Sequence, residues 1–317
     1  MMKSQIKIGP KVSIIMATFN RFHYIRETLI SIRNQSFKDW ECLVIDDGCT
    51  DKTKELIENL AVQDSRFIYL KRPFNYNKGL SGSRNHGLDF ARGRYLIFFD
   101  DDDIVHPENL SICLEVLQNN EWNFCRYNKM PFVTPHFDKK FNPVKKISPL
   151  LFQLSDLHKM ITGKIPFASC CVMWKKECFE KERFNEKLMY AEEWECYSRI
   201  LAKGYIGVSL DKVLYYNRKH PNSNTGEFHN NNPVRVNSKI NATILIISNL
   251  ASKNLINSEI KNFFLRLGFD LKSYRIIKLI LDKSKADLWE KIKYKTGYLI
   301  YPFLRPILKL KAKRKTI

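Results

Sequence analysis

The chain has 317 residues, with 53 Lys and Arg against 33 Asp and Glu and 44% apolar content, enough for one large domain or one domain with an appendage. Its net charge of +20 is uneven: residues 235–317 hold 19 basic and 5 acidic side chains, so the first 234 residues are ordinary in charge and do not argue for nucleic acid. Eight cysteines occur without a CxxC spacing, and Cys170 and Cys171 are adjacent, which speaks against a zinc site or a disulfide framework and for reduced, cytoplasmic thiols.

The opening "MMKSQIKIGPKVSII" has no apolar run of signal-peptide length, and no stretch approaches the roughly 20 apolar residues that span a bilayer. From residue 12 onward, strand and helix patterns alternate. "VSIIMAT" (12–18) is a β-branched apolar run, and "HYIRETLISIRNQ" (23–35) places Ile25, Leu29 and Ile32 at helical spacing. "ECLVID" (41–46) predicts a second strand and "DKTKELIENLAVQ" (51–63) a second helix, capped by Thr50 or Asp51. "RFIYLK" (66–71), "GSRNHGLDFAR" (82–92) and "RYLIFFD" (94–100) repeat the rhythm. Such alternation predicts an α/β fold with a mostly parallel sheet covered on both faces by helices. Ligands of such sheets bind beyond the carboxyl ends of the strands. There the sequence sets "TFN", "DDGCTD" and "DDDD".

Next comes a helix over 107–119, with Pro107 in its first turn and His106 as its cap, and then a less regular stretch. Beyond about 150 the patterns predict a helix at 154–162, a strand at 168–174 and a helix at 192–204 ended by Gly204. Two short strands, 205–210 and 213–219, precede a polar loop; the remainder reads as helical and basic. The organisation is therefore 1–234, split near 110 into two halves, followed by an extension over 235–317.

The run Asp100–Asp103 is the feature least explained by folding alone. His106 takes the capping duty downstream, and adjacent carboxylates pressed against "YLIFF" raise one another's pKa unless a cation intervenes. A solvated acidic loop and a divalent-cation site are the two readings of the run by itself.

Taken together, "VSIIMATFNR", "VIDDGCTDKT", "GLSGSRNHGLDFARGRYLIFFDDDD" and "AEEWECYSRILAKGY" resemble the family 2 glycosyltransferases of the GT-A fold over about residues 10–225. The resemblance implies a Rossmann-like nucleotide-sugar-binding half and an acceptor-side half. It implies an inverting transfer from a nucleoside-diphosphate sugar, most often a UDP-sugar, to a saccharide or glycolipid hydroxyl. It places Thr18, Asn20, Asp46, Asp47 and Arg84 at the nucleotide, with Asp100 and Asp101 on the ribose or on the ion through water. Asp102 is the implied metal ligand, helped by Asp100 and His220, and Asp103 is structural. Hard Mn²⁺ or Mg²⁺ suits carboxylate oxygens and substrate phosphates. Glu193 stands where the family carries its general base, as Glu192-Glu193 in place of the usual Glu-Asp pair. Cys49 replaces the family's usual serine, and Lys78, Trp174 and Trp194 are candidates for lining the acceptor site. Glu195 and Arg199, four residues apart, predict a surface ion pair.

The aromatic and basic tail, "KTGYLIYPFLRPILKLKAKRKTI", suits either attachment to an anionic membrane surface or packing on the catalytic part. A cytoplasmic enzyme peripheral on the inner membrane face, serving cell-surface polysaccharide or lipooligosaccharide synthesis, fits family habit. Two other classes remain as alternatives. A sugar nucleotidyltransferase would carry a Gly-rich phosphate loop after the first strand, where this chain has "ATFNRFHYI". A non-enzymatic basic protein would bind membrane or nucleic acid through the tail alone.

Overall fold

The computed structural model describes residues 9–118, 121–133, 136–137, 140–141, 147–220 and 223–313, with side chains in the last helix given up to Tyr301 and for Phe303. The first eight residues, and the basic side chains at the very end of the tail, lie outside the described residues. The chain divides into two compact units, Met1–Arg235 and Val236–Ile317.

In the first unit, strand β1 (Val12–Thr18) is buried on both faces, as its unbroken apolar run requires. Helix α1 (Phe22–Arg33) buries Ile25, Thr28, Leu29 and Ile32 on one face. Then come β2 (Trp40–Asp46), α2 (Thr53–Gln63) and β3 (Phe67–Lys71). Asp51 joins the two helix starts: one carboxylate oxygen accepts from the Thr53 N–H at 3.0 Å and the other from the Phe22 N–H at 3.2 Å. Helix α3 (Leu80–Phe90) is buried continuously from Ser81 to Leu88. Strand β4 (Tyr95–Phe98) leads into the acidic run, then β5 (Ile104–Val105) and α4 (Asn109–Gln118). The helix starts at Asn109, two residues later than Pro107 would set it, so His106 is not its cap residue; its Nδ1 accepts from the Glu108 N–H at 3.2 Å in the turn that precedes the helix.

Strands β6 (Phe124–Phe132) and β7 (Pro149–Phe152) follow, then a 3₁₀ turn into α5 (Leu157–Ile161), β8 (Val172–Lys175), α6 (Glu192–Leu201) and β9 (Gly207–Arg218). The unit ends with the short α7 (Asn224–His229) and the start of α8 (Pro233–Ser252). The expected strand at 168–174 is a 3₁₀ turn at Ser169–Cys171 running into a shorter strand. The two expected strands at 205–219 are one strand, whose pairing with β6 shifts register between Arg126 and Lys129. The stretch read as irregular contains β6, whose half-polar sequence "FCRYNKMPF" hides its four buried leading residues.

Among the described residues nine strands form one sheet, ordered β3-β2-β1-β4-β8-β6-β9-β5, with β7 also pairing with β9. Its first four strands are parallel, and β8 enters antiparallel between β4 and β6. Because the chain runs outward from β1 to β3 and returns to pair β4 on the other side of β1, the strand order reverses between β1 and β4. That switch opens a crevice at the carboxyl ends of these strands.

The second unit comprises most of α8, then α9 (Ser258–Asp270), α10 (Tyr274–Lys283) and α11 (Leu288–Lys313). Ile260, Phe264, Ile277 and Ile280 are buried in it.

Candidate active site

A cleft of about 570 Å³ lies at this crevice, and its walls include Thr18, Asp47, Asp100–Asp103, Glu193 and His220. The four aspartates are each held differently. Asp100 donates its N–H to the Tyr215 hydroxyl oxygen at 3.1 Å and accepts from Arg84 Nη2 at 3.1 Å. Asp101 lies 3.5 Å from Arg21 Nε. The Oδ2 of Asp102 is 2.8 Å from His220 Nε2, whose ring stacks on Tyr24 at 5.5 Å. Asp103 accepts the Arg218 N–H at 2.7 Å. The Arg218 guanidinium donates to the Asp102 carbonyl at 2.9 Å and packs over the rings of Tyr24 and Phe132.

Crowding shows in the acidities. Burial pushes Asp101 up to about 7, reinforced by Asp102 and opposed by Arg21 and the Thr18 hydroxyl. Burial also raises Asp100, against the pull of Arg84, and raises Asp103 strongly, helped by Asp102 and Asp100. For Asp102, burial is outweighed by the His220 hydrogen bond and the Arg21 charge, so its carboxyl sits below the ordinary range. Three carboxyls held above their normal range, around one kept ionised, suit a site that a dication would relieve. The donor set, carboxylate oxygen with one imidazole, fits a hard ion of the Mg²⁺ or Mn²⁺ kind. Asp102 and His220 are together, as the motifs imply, but Asp100 turns elsewhere. Its carboxylate gathers with that of Asp103 and with Cys170 Sγ, ligand atoms within 4.8 Å of one another.

The strand-end residues divide between wall and frame. Asp47 lines the cleft and accepts from the Arg72 guanidinium, from the Gly79 N–H at 3.0 Å and from the Ser83 hydroxyl at 3.4 Å. Asp46, the other acid of the second strand end, organises the turn and is not among the residues lining the cleft. Its Oδ1 accepts from the Gly48 and Cys49 N–H groups at 2.8 and 2.6 Å, and its Oδ2 from the Tyr69 hydroxyl at 2.7 Å. Burial pushes this carboxyl up, but those donors hold it below the usual range. Asn20, left-handed at φ 53°, also stands outside the wall, and its amide oxygen accepts the Thr50 N–H at 2.8 Å. Thr18 is buried, with its carbonyl on the Asp47 N–H.

Arg84 lines the cleft although it is only 2% exposed, and it is also a tie. Besides Asp100 it reaches Glu192 Oε1 at 3.2 Å and Ser169 Oγ at 2.8 Å, joining the acidic run to the start of α6. Glu192 is buried, and burial and Glu193 push it up to about 7 against the pull of Arg84. Glu193, half-buried in the first turn of α6, faces the cleft beside it. Lys78 lines the cleft over the Phe19 ring. Trp174 is fully buried in the core and lines nothing, while Trp194 is half-buried outside the wall. The Glu195–Arg199 pair forms at 2.6 Å, but Glu195 is buried, so it is not a surface pair. Sequence reasoning overlooked Arg21, Arg72, Lys129 and Arg218. Arg21 and Arg218 flank motif residues in "TFNR" and "YYNRKH", and that adjacency was the available signal.

The model of the family described as Glycosyl transferase family 2 matches residues 13–179, more than half of the chain. An uncharacterized glycosyltransferase of Methanocaldococcus jannaschii is 28% identical over 62% of this chain and 66% of its own length. The GalNAc(5)-diNAcBac-PP-undecaprenol beta-1,3-glucosyltransferase of Campylobacter jejuni is 34% identical over 56% of each. The chain thus spans roughly half to two thirds of these curated relatives. Among solved structures, S. aureus TarS 1-349 in complex with UDP superposes with a TM-score of 0.58 at 17% identity, covering 91% of both chains. Mannosyltransferase PcManGT from Pyrobaculum calidifontis, in complex with GDP-Man and Mn2+, gives 0.56 at 14% identity over 93% of this chain and 81% of its own. These two share the fold, a GT-A α/β sheet, and the sequence match spans all three strand-end motifs, so the chain belongs to glycosyl transferase family 2.

Proposed function

We propose that the protein is a metal-dependent, inverting glycosyltransferase that moves a sugar from a nucleoside diphosphate, in the first instance UDP, to a saccharide hydroxyl. The observation that carries this reading is the cleft itself, which four crowded aspartates and Glu193 line together. Residues 10–110 would bind the nucleotide sugar and 111–234 the acceptor. The UDP and GDP-Man complexes of the structural neighbours support a nucleotide-sugar donor. The name of the C. jejuni relative supports a glycan on a lipid carrier as acceptor, in cell-surface polysaccharide or lipooligosaccharide synthesis.

Asp102 with His220 would hold Mn²⁺ or Mg²⁺, while Asp100, in the same run, gathers with Asp103 and Cys170. That ion, when bound, supplies Lewis-acid stabilisation of the leaving diphosphate. Asp101 would meet the ribose and Asp47 the base. Glu193 takes the proton of the attacking hydroxyl, a group far too weak an acid to ionise unaided. Its place in the first turn of α6 favours the ionised form that a base needs. The basic C-terminal unit would keep the enzyme at an anionic membrane surface, on the cytoplasmic side.

A thermal-shift panel of nucleoside diphosphates with and without Mn²⁺ tests this reading, since a ligand stabilises the fold according to its concentration over its Kd. One nucleotide should stabilise the protein only with metal, EDTA should remove the effect, and Asp102→Ala should abolish it. No metal-dependent response to any nucleotide would overturn the proposal.

A further inference from the structure

Helix α11 has two apolar faces, and its own unit covers one of them. Tyr294, Tyr298 and Tyr301 turn toward Phe269 of α9, with ring centroids 6.5, 6.0 and 5.1 Å away, and Tyr298 also meets Tyr274 of α10 at 5.4 Å. Around the other side of the helix stand Leu288, Trp289, Ile292, Leu299, Ile300 and Phe303, all exposed, Trp289 by 80% and Phe303 by 79%. At about 100° per residue these six fall in an arc of roughly 120°, centred opposite the tyrosines. Exposed Lys293 and Lys295 border the arc on its two sides. The acidic Glu290 lies away from it, paired with Lys261 at 2.6 Å. Beyond the described side chains the sequence adds Lys309, Lys311, Lys313, Arg314 and Lys315.

An apolar stripe of this size, interrupted in its arc by Thr296, does not ordinarily stay in water. No helix among the described residues is long and apolar enough to cross a membrane, so the stripe does not belong to a spanning segment. A narrow apolar arc with lysines on its borders is instead the pattern of a helix lying in a membrane interface.

We infer that the face of α11 formed by Leu288, Trp289, Ile292, Leu299, Ile300 and Phe303 lies in the surface of an anionic phospholipid bilayer, with Lys293 and Lys295 on lipid phosphates. The charge of the segment selects this occupant. Residues 235–317 carry 19 basic against 5 acidic side chains, so two copies pressed face to face would bring like charges together, while anionic headgroups neutralise them. A free phosphate would satisfy the lysines and leave the apolar arc uncovered. The inference rests on the membrane-surface placement proposed above and gives it a definite face; sugar transfer is not required for it.

Vesicle flotation of the full chain provides the test, with equal parts phosphatidylcholine and phosphatidylglycerol against pure phosphatidylcholine. The protein should float with the anionic vesicles, at least about tenfold better than with neutral ones, and lose that preference in high salt. Tryptophan emission should shift to the blue on anionic vesicles as Trp289 enters the interface. The double variant Leu299→Asp, Phe303→Asp should stay in the aqueous fraction while melting at the wild-type temperature, because both side chains are exposed. Val62→Asp, at an 89% exposed apolar position on α2, should float normally. Two results would overturn the inference: wild-type protein that ignores anionic vesicles at low salt, or a double variant that floats as well as the wild type. A concentration-dependent dimer dissolved by the double variant, with vesicle binding unchanged, would assign the face to a second copy. Metal-dependent stabilisation by nucleotide, measured on the same preparations, separates failure here from failure of the glycosyltransferase reading.

Discussion

Arg84 Nη1 donates to Glu192 Oε1 at 3.2 Å, across 108 residues of sequence, while its Nη2 reaches Asp100. One buried guanidinium thereby fixes the spacing between the acidic run and the first turn of α6. Removing one partner of a buried ion pair leaves an uncompensated charge and costs about 3–5 kcal/mol. Arg84→Ala should lower unfolding free energy by about that amount in urea titrations. Arg84→Lys should recover only part of the loss, because a single ammonium cannot replace a fork with three acceptors. An Arg84→Ala protein as stable as wild type would remove Arg84 from this role.

The Asp47 wall of the cleft depends on a close backbone approach. A Cβ on Gly82 would stand 2.0 Å from the Asn77 carbonyl oxygen, so only glycine lets the segment before α3 fold down over the helix. That same segment delivers the Gly79 N–H to Asp47. Gly82→Ala should cost about 1–3 kcal/mol of stability, as overpacking does. It should also shrink the metal-dependent thermal shift with nucleotide, by displacing Gly79 from Asp47. A full nucleotide response in a folded Gly82→Ala protein would show that this contact does not shape the site.

Much of this arrangement was readable in the sequence, and the reason is local. Strand runs such as "VSIIMAT" and helix faces such as Ile25, Leu29 and Ile32 carry their periodicity within a dozen residues, and the strand-end motifs sit beside them. What sequence could not supply was pairing at a distance. Whether Asp46 or Asp47 faces the cleft depends on Tyr69 and Arg72, two elements later. That Arg84, which lines the cleft, also binds Glu192 and Ser169 shows only in the structure. Strand β6 is half polar because its second part is exposed, so alternation gave no signal there.

The Asp46 turn yields a pH signature. Hydrogen bonds from Gly48, Cys49 and Tyr69 hold this carboxyl below the usual range in the fold, so the unfolded chain binds its proton more readily. The sign follows. The stabilisation is complete above the unfolded pKa of about 3.9, and it is lost as pH falls through the lower folded value. Asp46→Asn should therefore be less stable than wild type by about 1–3 kcal/mol, with a deficit that stays constant from pH 7 to about 5 and narrows only below about 4. Paired denaturation curves across that range measure it. A deficit that grows toward acid would mean that the carboxylate is not what the turn uses.

Two adjacent glutamates open α6, and their surroundings assign them different effects. Glu192 is buried on Arg84, so Glu192→Gln should weaken that tie and register chiefly as lost stability. Glu193 lines the cleft, and an amide in its place keeps size and polarity but cannot accept a proton. Glu193→Gln should leave the melting temperature, the nucleotide-induced shift and the KM for donor unchanged, while kcat falls by about 10²–10⁴. Because a base acts in the transition state and not in donor binding, the loss should appear in kcat and kcat/KM equally. Glu193→Asp should retain more turnover than Glu193→Gln, since the shorter carboxylate still accepts the proton although it reaches less far. If Glu193→Gln turns over at the wild-type rate while Glu192→Gln does not, the proton leaves through the other carboxylate, and Arg84 would then hold the base itself.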